Sequence, residues 1–494
     1  MILLSTPLFV TLGVLSLACF YFLATEYQSF EDYHLIIEKI FSLTDKNVLL
    51  AIPFFVVAGS LMCAGGIARR IIAFADALIG WLPGGLAAAA VLSCMFFAAI
   101  SGSSPVTVIA IGSIMVPALI AHGYEEKFSV GLLTAAGSLG ILIPPSIPMI
   151  IYAIMVGGAM SVSVGDLFIA GVVPGLLIGA IFIGYSFWHG MTRPDFSWSS
   201  LTPPSLELIG QRFAEGFWAL LLPVLILGGI YPIFGDQGLF TPTEAAAVAV
   251  AYAFVVEIFI HRELEIRAIP RLLVESTVMM GALLVILSLS FALNHYLVDQ
   301  QVADRMVDQI AHLELSRNSF LLLLNLFLLF VGCLMDIMSA IMVIAPLLAP
   351  MALAFGIDPV HLGIIFIVNL EIGYLTPPIG LNLFVSATLF KKPIGFVIRS
   401  VGVFIILMLC GLAAITWFEP TSVGLVRALK GQPVLGAPEA VTAPGSGEAP
   451  APGEQAVPAP SGAETSTQSG VLTLEELMKR AKKGEAETSS TAEE

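Results

Sequence analysis

The chain alternates long apolar runs with short polar breaks. Eleven stretches are almost free of charge: 4–24, 48–68, 84–121, 128–160, 166–188, 214–235, 240–260, 273–297, 319–355, 360–390 and 395–418. Most have the length of one helix crossing about 30 Å of hydrocarbon. Four do not fit that rule. The runs 84–121 and 319–355 are too long for one crossing yet carry no charged loop in the middle, which predicts helical hairpins that enter and leave on one face. The runs 128–160 and 360–390 are interrupted by Pro-Pro pairs and read as broken helices. No strand-like alternation of barrel type appears, so the pattern predicts an all-α polytopic membrane protein. The first run has no basic flank and no small-residue cleavage site, and is expected to be a retained helix.

The four unusual runs form two matching pairs. Sliding the sequence by 233 residues brings Pro117 onto Pro350, Gly123 onto Gly356, Gly140 onto Gly373, and Pro144 and Pro145 onto Pro377 and Pro378. GILIPPS and GYLTPPI are therefore one element used twice, since aligned prolines and glycines do not arise from apolar composition alone. The expected organisation is an N-terminal helix and connector (1–47), a first repeat (48–188), connecting scaffold helices (189–272), a second repeat (273–425) and a tail (426–494).

Charge supplies the orientation. Arg69, Arg70, Lys127, Arg193, Arg212, Arg262, Arg267, Arg271, Lys391 and Lys392 fall on one side if both long runs are hairpins. Lys39, Lys46, Arg305 and Arg317 fall on the other, diluted by acidic neighbours such as Glu31 and Asp304. The excess of Lys and Arg marks the cytoplasmic side and places the amino terminus there. Five crossings separate the hairpins, so the repeats have opposite topology, the inverted plan of secondary transporters.

Composition agrees with this class and excludes others. Hydrophobic residues make up 57% of the chain and charged residues 12%. The net charge of -15 is partly a tail effect, because residues 431–494 hold 10 acidic and 4 basic side chains. Nothing resembles the basic patch of a nucleic-acid binder. The tail is rich in Pro, Ala, Gly and Glu over 436–468, which predicts disorder, with a short helix over TLEELMKRAKK started by Thr473 and Glu476. Five cysteines lie singly in apolar runs and read as buried thiols. No nucleophile–base pair, phosphate loop or zinc spacing stands out, so no enzyme activity and no prosthetic group are expected.

The breaks permit chemistry that intact helices do not. Unwound backbone at membrane depth exposes carbonyls that take small cations and N–H groups that take anions. The first hairpin turn, AISGSSPVTV, sets Ser101, Ser103, Ser104 and Thr107 around Gly102 and Pro105. These hydroxyls suit an ion or a polar substrate, and equally suit capping of the half-helices. In the second turn, GCLMDIMSAIM, Asp336 aligns with Ser103 and Ser339 follows it. An ionisable group so deep in an apolar run is functional by default, as a ligand or beside one, although a helix cap also accounts for it. Pro144 and Pro145 in the first break, and Gly373, Thr376, Pro377, Pro378, Gly380 and Asn382 around the second, complete the candidate binding residues. The two later prolines deprive the carbonyls of Gly373 and Tyr374 of their usual donors. Glu371 reads either as a proton or cation site or as a partner of His361.

PFFVVAGSLMCAGGIARRI, SGSSPVTV, GILIPPSIPMIIYA and DPVHLGIIFIVNLEIGYLTPPIGLNLFV occur in this order. Together they resemble the large membrane subunit of tripartite ATP-independent periplasmic (TRAP) transporters, the DctM type, over roughly residues 1–425. The resemblance implies sodium-coupled uptake of small organic anions, often carboxylates, across a bacterial inner membrane. It implies two partners: a periplasmic solute-binding protein that delivers the substrate, and a small four-helix DctQ-type membrane subunit, expected here as a separate chain. It also implies an elevator-type transporter whose hairpins and broken helices move against a scaffold, with sodium held near Ser103, Asp336, Gly373 and Thr376. Glu371 and the acidic tail depart from the family pattern. A binding-protein-independent divalent-anion sodium symporter is the nearest alternative, and a passive channel is a more distant one.

Overall fold

The structure, a computed structural model, describes residues 8–18, 46–157, 160, 162–193, 205–231, 238–302, 305–306, 315–378 and 380–434. The acidic tail with its expected short helix, and Cys19, lie outside these residues. The described residues form helices joined by turns, with no strand among them.

Helix α1 spans Leu8–Ala18, and α2, Ala51–Ala64, follows a short 3-10 turn at Asn47–Leu50. An amphipathic α3 at Ile67–Ile79 has no counterpart among the expected runs, because its polar face carries Arg69, Arg70 and Asp76. The first hairpin is α4, Gly85–Ser101, and α5, Ser104–Ala121. The first broken helix is α6, Glu126–Ala136, a 3-10 segment at Gly137–Ile141, and α7, Ile147–Val156. Three long helices come next: α8 at Val164–Met191, α9 at Leu206–Ile230 and α10 at Pro242–Val255, the last extended by a π turn at Val256–Ile260. Helix α11, Ile269–Asp299, leads to the second hairpin, α12 at Arg317–Leu334 and α13 at Ile337–Ala354. The second broken helix is α14, Pro359–Gly373, and α15, Leu381–Leu389, followed by α16, Ile394–Trp417. A last helix, α17 at Pro420–Leu429, runs across the expected start of the tail at 426.

Local chemistry sets these boundaries. Thr241 and Glu244 close a capping box at the start of α10, with Pro242 in the first turn. Asp336 caps α13, accepting from the Ser339 amide at 3.2 Å and from the Ser339 hydroxyl. Gly123 and Gly356, equivalent in the repeat, both adopt positive φ (78° and 67°) just after α5 and α13, where a left-handed residue ends the helix. Both Pro-Pro bonds of the repeat, Pro144–Pro145 and Pro377–Pro378, are cis.

The 233-residue offset holds at the level of elements. Ser104–Ala121 maps onto Ile337–Ala354 residue for residue, and the two breaks map onto each other. The copies pack crosswise: α5 against α15, α13 against α7, α6 against α16 and α8 against α14. Helices α2, α10 and α11 pack together, and α3 packs on α9.

Each hairpin returns to where it began. Gly84, at the start of the first, lies against Gly190, and its far end reaches the same place, where Arg193 donates to the carbonyls of His122 and Gly123 at 3.1 Å. In the second, Phe320 and Phe355 stack at 4.3 Å across the open end. The bases sit at opposite ends of α8. Its C-terminal end meets the first hairpin, while at its N-terminal end Asp166 pairs with Lys430, the residue just after α17 (2.7 Å). The segment leading into α17 holds Glu419, which pairs with Arg317 at the second hairpin base (2.7 Å). A helix of 28 residues spans ~42 Å, more than the hydrocarbon thickness. The two hairpin bases thus lie toward opposite ends of α8. Ion pairs between distant segments also respect the two faces: Arg70–Glu263 and Lys392–Glu126 on one, Arg317–Glu419 and Arg427–Asp358 on the other.

Candidate functional site

A cavity of about 350 Å³ lies where the first hairpin tip meets helices α2 and α11. Its wall on the repeat side is Ser101, Gly102, Ser103, Ser104, Pro105 and Val106, with Ile141, Ile147 and Pro148 from the first break. Met338 and Tyr374 reach it from the second repeat. Helix α2 contributes Val56, Gly59 and Ser60, and α11 contributes Leu272, Glu275, Ser276 and Leu283.

The tip is held by its own hydroxyls. Thr107 donates to the Ser103 carbonyl at 2.9 Å, and its hydroxyl lies 2.9 Å from that of Ser101. Gly102 has φ +59°, and a Cβ there would lie 2.7 Å from the Pro145 carbonyl oxygen, so the turn accepts only glycine without strain. Gly140 is equally confined: a Cβ would lie 2.6 Å from the Ser103 carbonyl oxygen and 2.7 Å from the Thr107 hydroxyl. The first tip therefore rests on the first break.

The second tip repeats the arrangement with different chemistry. A Cβ on Gly373 would lie 2.6 Å from Gly332 Cα, so the hairpin crosses the break glycine against glycine. Thr376 donates its hydroxyl to the Ile372 carbonyl at 2.8 Å. The carbonyls expected to be left open by Pro377 and Pro378 are not bare. Gly373 accepts from the Thr376 amide (3.0 Å), and Tyr374 accepts from the Asn382 amide (3.2 Å). A tight turn and the returning chain supply these donors, and each carbonyl keeps a second lone pair.

The expected site residues thus fall into two groups. Ser101, Gly102, Ser103, Ser104, Thr107, Pro144 and Pro145 gather at the first tip and break, while Asp336, Ser339, Gly373, Thr376, Pro377 and Pro378 gather at the second. One residue bridges them. Asn382, following Gly380 in the second break, donates through Nδ2 to Ser104 Oγ at 2.6 Å. Its Oδ1 is buried and has no hydrogen-bond partner among the described residues.

Glu371 is not paired with His361. The His361 ring instead meets Ser422 Oγ (2.6 Å) and the Thr416 carbonyl (3.3 Å). Glu371 is fully buried, with Oε1 hydrogen-bonded to Ser138 at 2.8 Å and Oε2 unpartnered among the described residues. The sequence did not point to Gly59, Ser60 or Ser276, and it pointed to Tyr374 only through its carbonyl. Ser60 and Ser276, 2.7 Å apart across α2 and α11, sit in ordinary apolar runs, and their pairing arises only from helix packing.

Comparison with known proteins gives a consistent result. The family model described as the DctM component of tripartite ATP-independent periplasmic transporters matches residues 1–421. The C4-dicarboxylate TRAP transporter large permease protein DctM of Pseudomonas aeruginosa is 43% identical over 387 residues, 78% of this chain and 88% of that protein. Its namesake from Rhodobacter capsulatus is 40% identical over 405 residues, covering 79% and 89%. The isethionate TRAP transporter permease protein DctMQ of Oleidesulfovibrio alaskensis is 39% identical over 378 residues, 76% of this chain and 58% of that one. Among solved structures, the YdaH transporter of Alcanivorax borkumensis shares the fold with a TM-score of 0.58 at 15% identity, covering 86% of this chain and 98% of that one. The crosswise repeats, the two-faced charge distribution and the extent of these matches make the chain a member of the DctM family of TRAP transporter large permease subunits.

Proposed function

We propose that the chain carries small organic anions, with C4-dicarboxylates as the first class to test, into a bacterial cell across the inner membrane, driven by sodium. The observation that carries this reading is the cavity. It is bounded on one side by a hydroxyl-rich hairpin tip and broken helix, and on the other by α2 and α11. A site between a hairpin tip and the flanking helices α2 and α11 suits an elevator, in which re-entrant hairpins and broken helices slide as a unit along the remaining helices. Such a cycle needs ligands that bind one state better than another.

Sodium is assigned to the two tips. At the first, Ser103 and the orphaned Oδ1 of Asn382 are hard oxygen donors. At the second, Asp336, Gly373 and Thr376 are the candidates. Apart from Glu275, which Arg271 pairs at 2.8 Å, the cavity lining carries no charged side chain. An anion there is held by hydroxyls, helix N-termini and the ion itself. The names of the dicarboxylate relatives supply the substrate class, and that of the isethionate DctMQ protein supports a small DctQ-type partner. A periplasmic binding protein is the expected donor of substrate.

Reconstitution tests the reading directly. Proteoliposomes holding the chain and its small subunit, supplied with binding protein and radiolabelled succinate, are expected to accumulate label only under an inward sodium gradient. Accumulation that is the same with potassium replacing sodium overturns the coupling, and accumulation without binding protein favours a stand-alone symporter.

A further inference from the structure

Four buried hydrogen bonds, joined by single turns of backbone, run from one hairpin tip to the other through both repeats. From the first tip, Ser104 Oγ accepts from Asn382 on α15 at 2.6 Å. One turn later on α15, Ser386 is hydrogen-bonded to Thr134 of α6 at 2.8 Å. One turn along that chain, Ser138 is hydrogen-bonded to Glu371 of α14 at 2.8 Å. Three residues on, the Tyr374 hydroxyl accepts from the Ile337 amide at 3.4 Å, beside Asp336 at the second tip. Ser104, Thr134, Ser138, Glu371, Asn382 and Ser386 are all fully buried.

We propose that this ladder couples the two tips, so that occupancy of one favours the binding geometry of the other, with Thr134 and Ser386 as positioning residues at its middle rung. This rests on the two-tip transport reading above. The rung touches neither tip, and each of its side chains is rigidly seated in a helix. Both hydroxyls are fully buried; Thr134 Oγ1 also lies 2.6 Å from the Val130 carbonyl of its own helix, so parting α6 from α15 costs the contact with Ser386, and the rung favours joint movement of the two helices. Each tip rests on an element at one end of the ladder: Ser103 on the break that follows α6, Gly332 on the end of α14. A shift that seats one tip is thereby passed to the other.

The test uses Thr134→Val, which keeps the shape and removes the hydroxyl, Ser386→Ala, and Thr134→Ser, which restores the hydroxyl. Hydrogen exchange is measured on the purified chain with its small subunit. Thr134→Val and Ser386→Ala are expected to raise exchange at both tips, around 100–107 and 334–341, while Thr134→Ser does not. In proteoliposomes, the factor by which sodium lowers the half-saturating succinate concentration is expected to fall about five-fold in the first two variants, the size of one buried hydrogen bond. The double variant is expected to match the singles. Exchange that changes only within α6 and α15, or a sodium factor equal to wild type in both variants, overturns the ladder. If wild-type uptake ignores sodium, the sodium reading fails by itself, and the exchange data still decide whether the tips are coupled.

Discussion

Ser138 and Glu371 occupy the same position of the two repeats, 233 residues apart, and their side chains are hydrogen-bonded at 2.8 Å. Equivalent residues touch only where the local axis relating two copies passes between them. The repeat is therefore not two domains side by side, but two copies whose breaks cross. Its asymmetry is chemical, a hydroxyl facing a carboxyl across the axis.

The crossing of Gly332 and Gly373 allows a sharp prediction. A methyl at 373 meets backbone rather than a movable side chain, with Gly332 Cα only 2.6 Å from the new Cβ. Gly373→Ala is expected to destabilise by about 1–3 kcal/mol, the cost of overpacking a close contact. Thermal unfolding in detergent measures it. An unchanged midpoint with full uptake would mean that the hairpin and the break are not in contact. Gly395→Ala, which meets nothing within 4 Å, is the control.

Glycines and prolines made the repeat legible because they act through the backbone, and backbone demands are local in sequence. Pro117, Gly123 and Gly140 sit where a helix must kink, end or admit a neighbour, so their partners at 350, 356 and 373 could be aligned without a structure. The wall of the cavity was illegible for the opposite reason. Gly59, Ser60 and Ser276 look like any small residues in apolar helices, and α2 and α11 bring Ser60 and Ser276 together over 216 residues of chain. The expected open carbonyls at Gly373 and Tyr374 were misjudged because the donors come from Thr376 and Asn382, whose return depends on the turn itself.

A buried amide pair inside the second repeat should behave as a unit. Asn369 donates to Asn325 Oδ1 at 2.6 Å, and Asn325 donates to Thr416 Oγ1 at 3.2 Å, joining α14, α12 and α16. Asn325→Leu alone leaves the Asn369 amide short of a partner, at a cost of about 1–3 kcal/mol. Adding Asn369→Leu removes the stranded group, so the double variant is expected to be less destabilised than the sum of the singles. Strict additivity in thermal unfolding would show that the two amides do not depend on each other.

Glu419 gives a pH dependence with a definite sign. Burial works against its charge, but the guanidinium groups of Arg317 and Arg427, at 2.7 and 2.6 Å, outweigh it and hold the carboxyl below its ordinary value of 4.5. A carboxyl lowered on folding adds stability that is complete above its unfolded value and disappears as pH falls through the folded one. Acid is therefore expected to loosen α17 from the second hairpin base below about pH 4.5, and not above it. Glu419→Gln should be less stable at neutral pH and should lose less on acidification. Parallel acid limbs for the two proteins in thermal unfolding would refute the assignment.

Asn382 offers the most direct test of an ion at the first tip. Its Nδ2 donates to Ser104 while its Oδ1 is buried with no partner among the described residues, a costly arrangement for a native amide unless a ligand completes it. Asn382→Asp keeps an oxygen where Oδ1 stands and adds negative charge, and the Ser104 hydroxyl turns to donate to it. Asn382→Leu keeps the bulk and removes both polar atoms. Sodium-driven uptake is therefore expected to survive in Asn382→Asp and to need at least about ten-fold more sodium in Asn382→Leu, the effect of losing a hydrogen bond or ligand contact to a charged group. The succinate concentration for half-maximal uptake, read at saturating sodium, should change far less. A leucine variant with the sodium requirement of the wild type would leave Oδ1 without a role and confine sodium to the second tip.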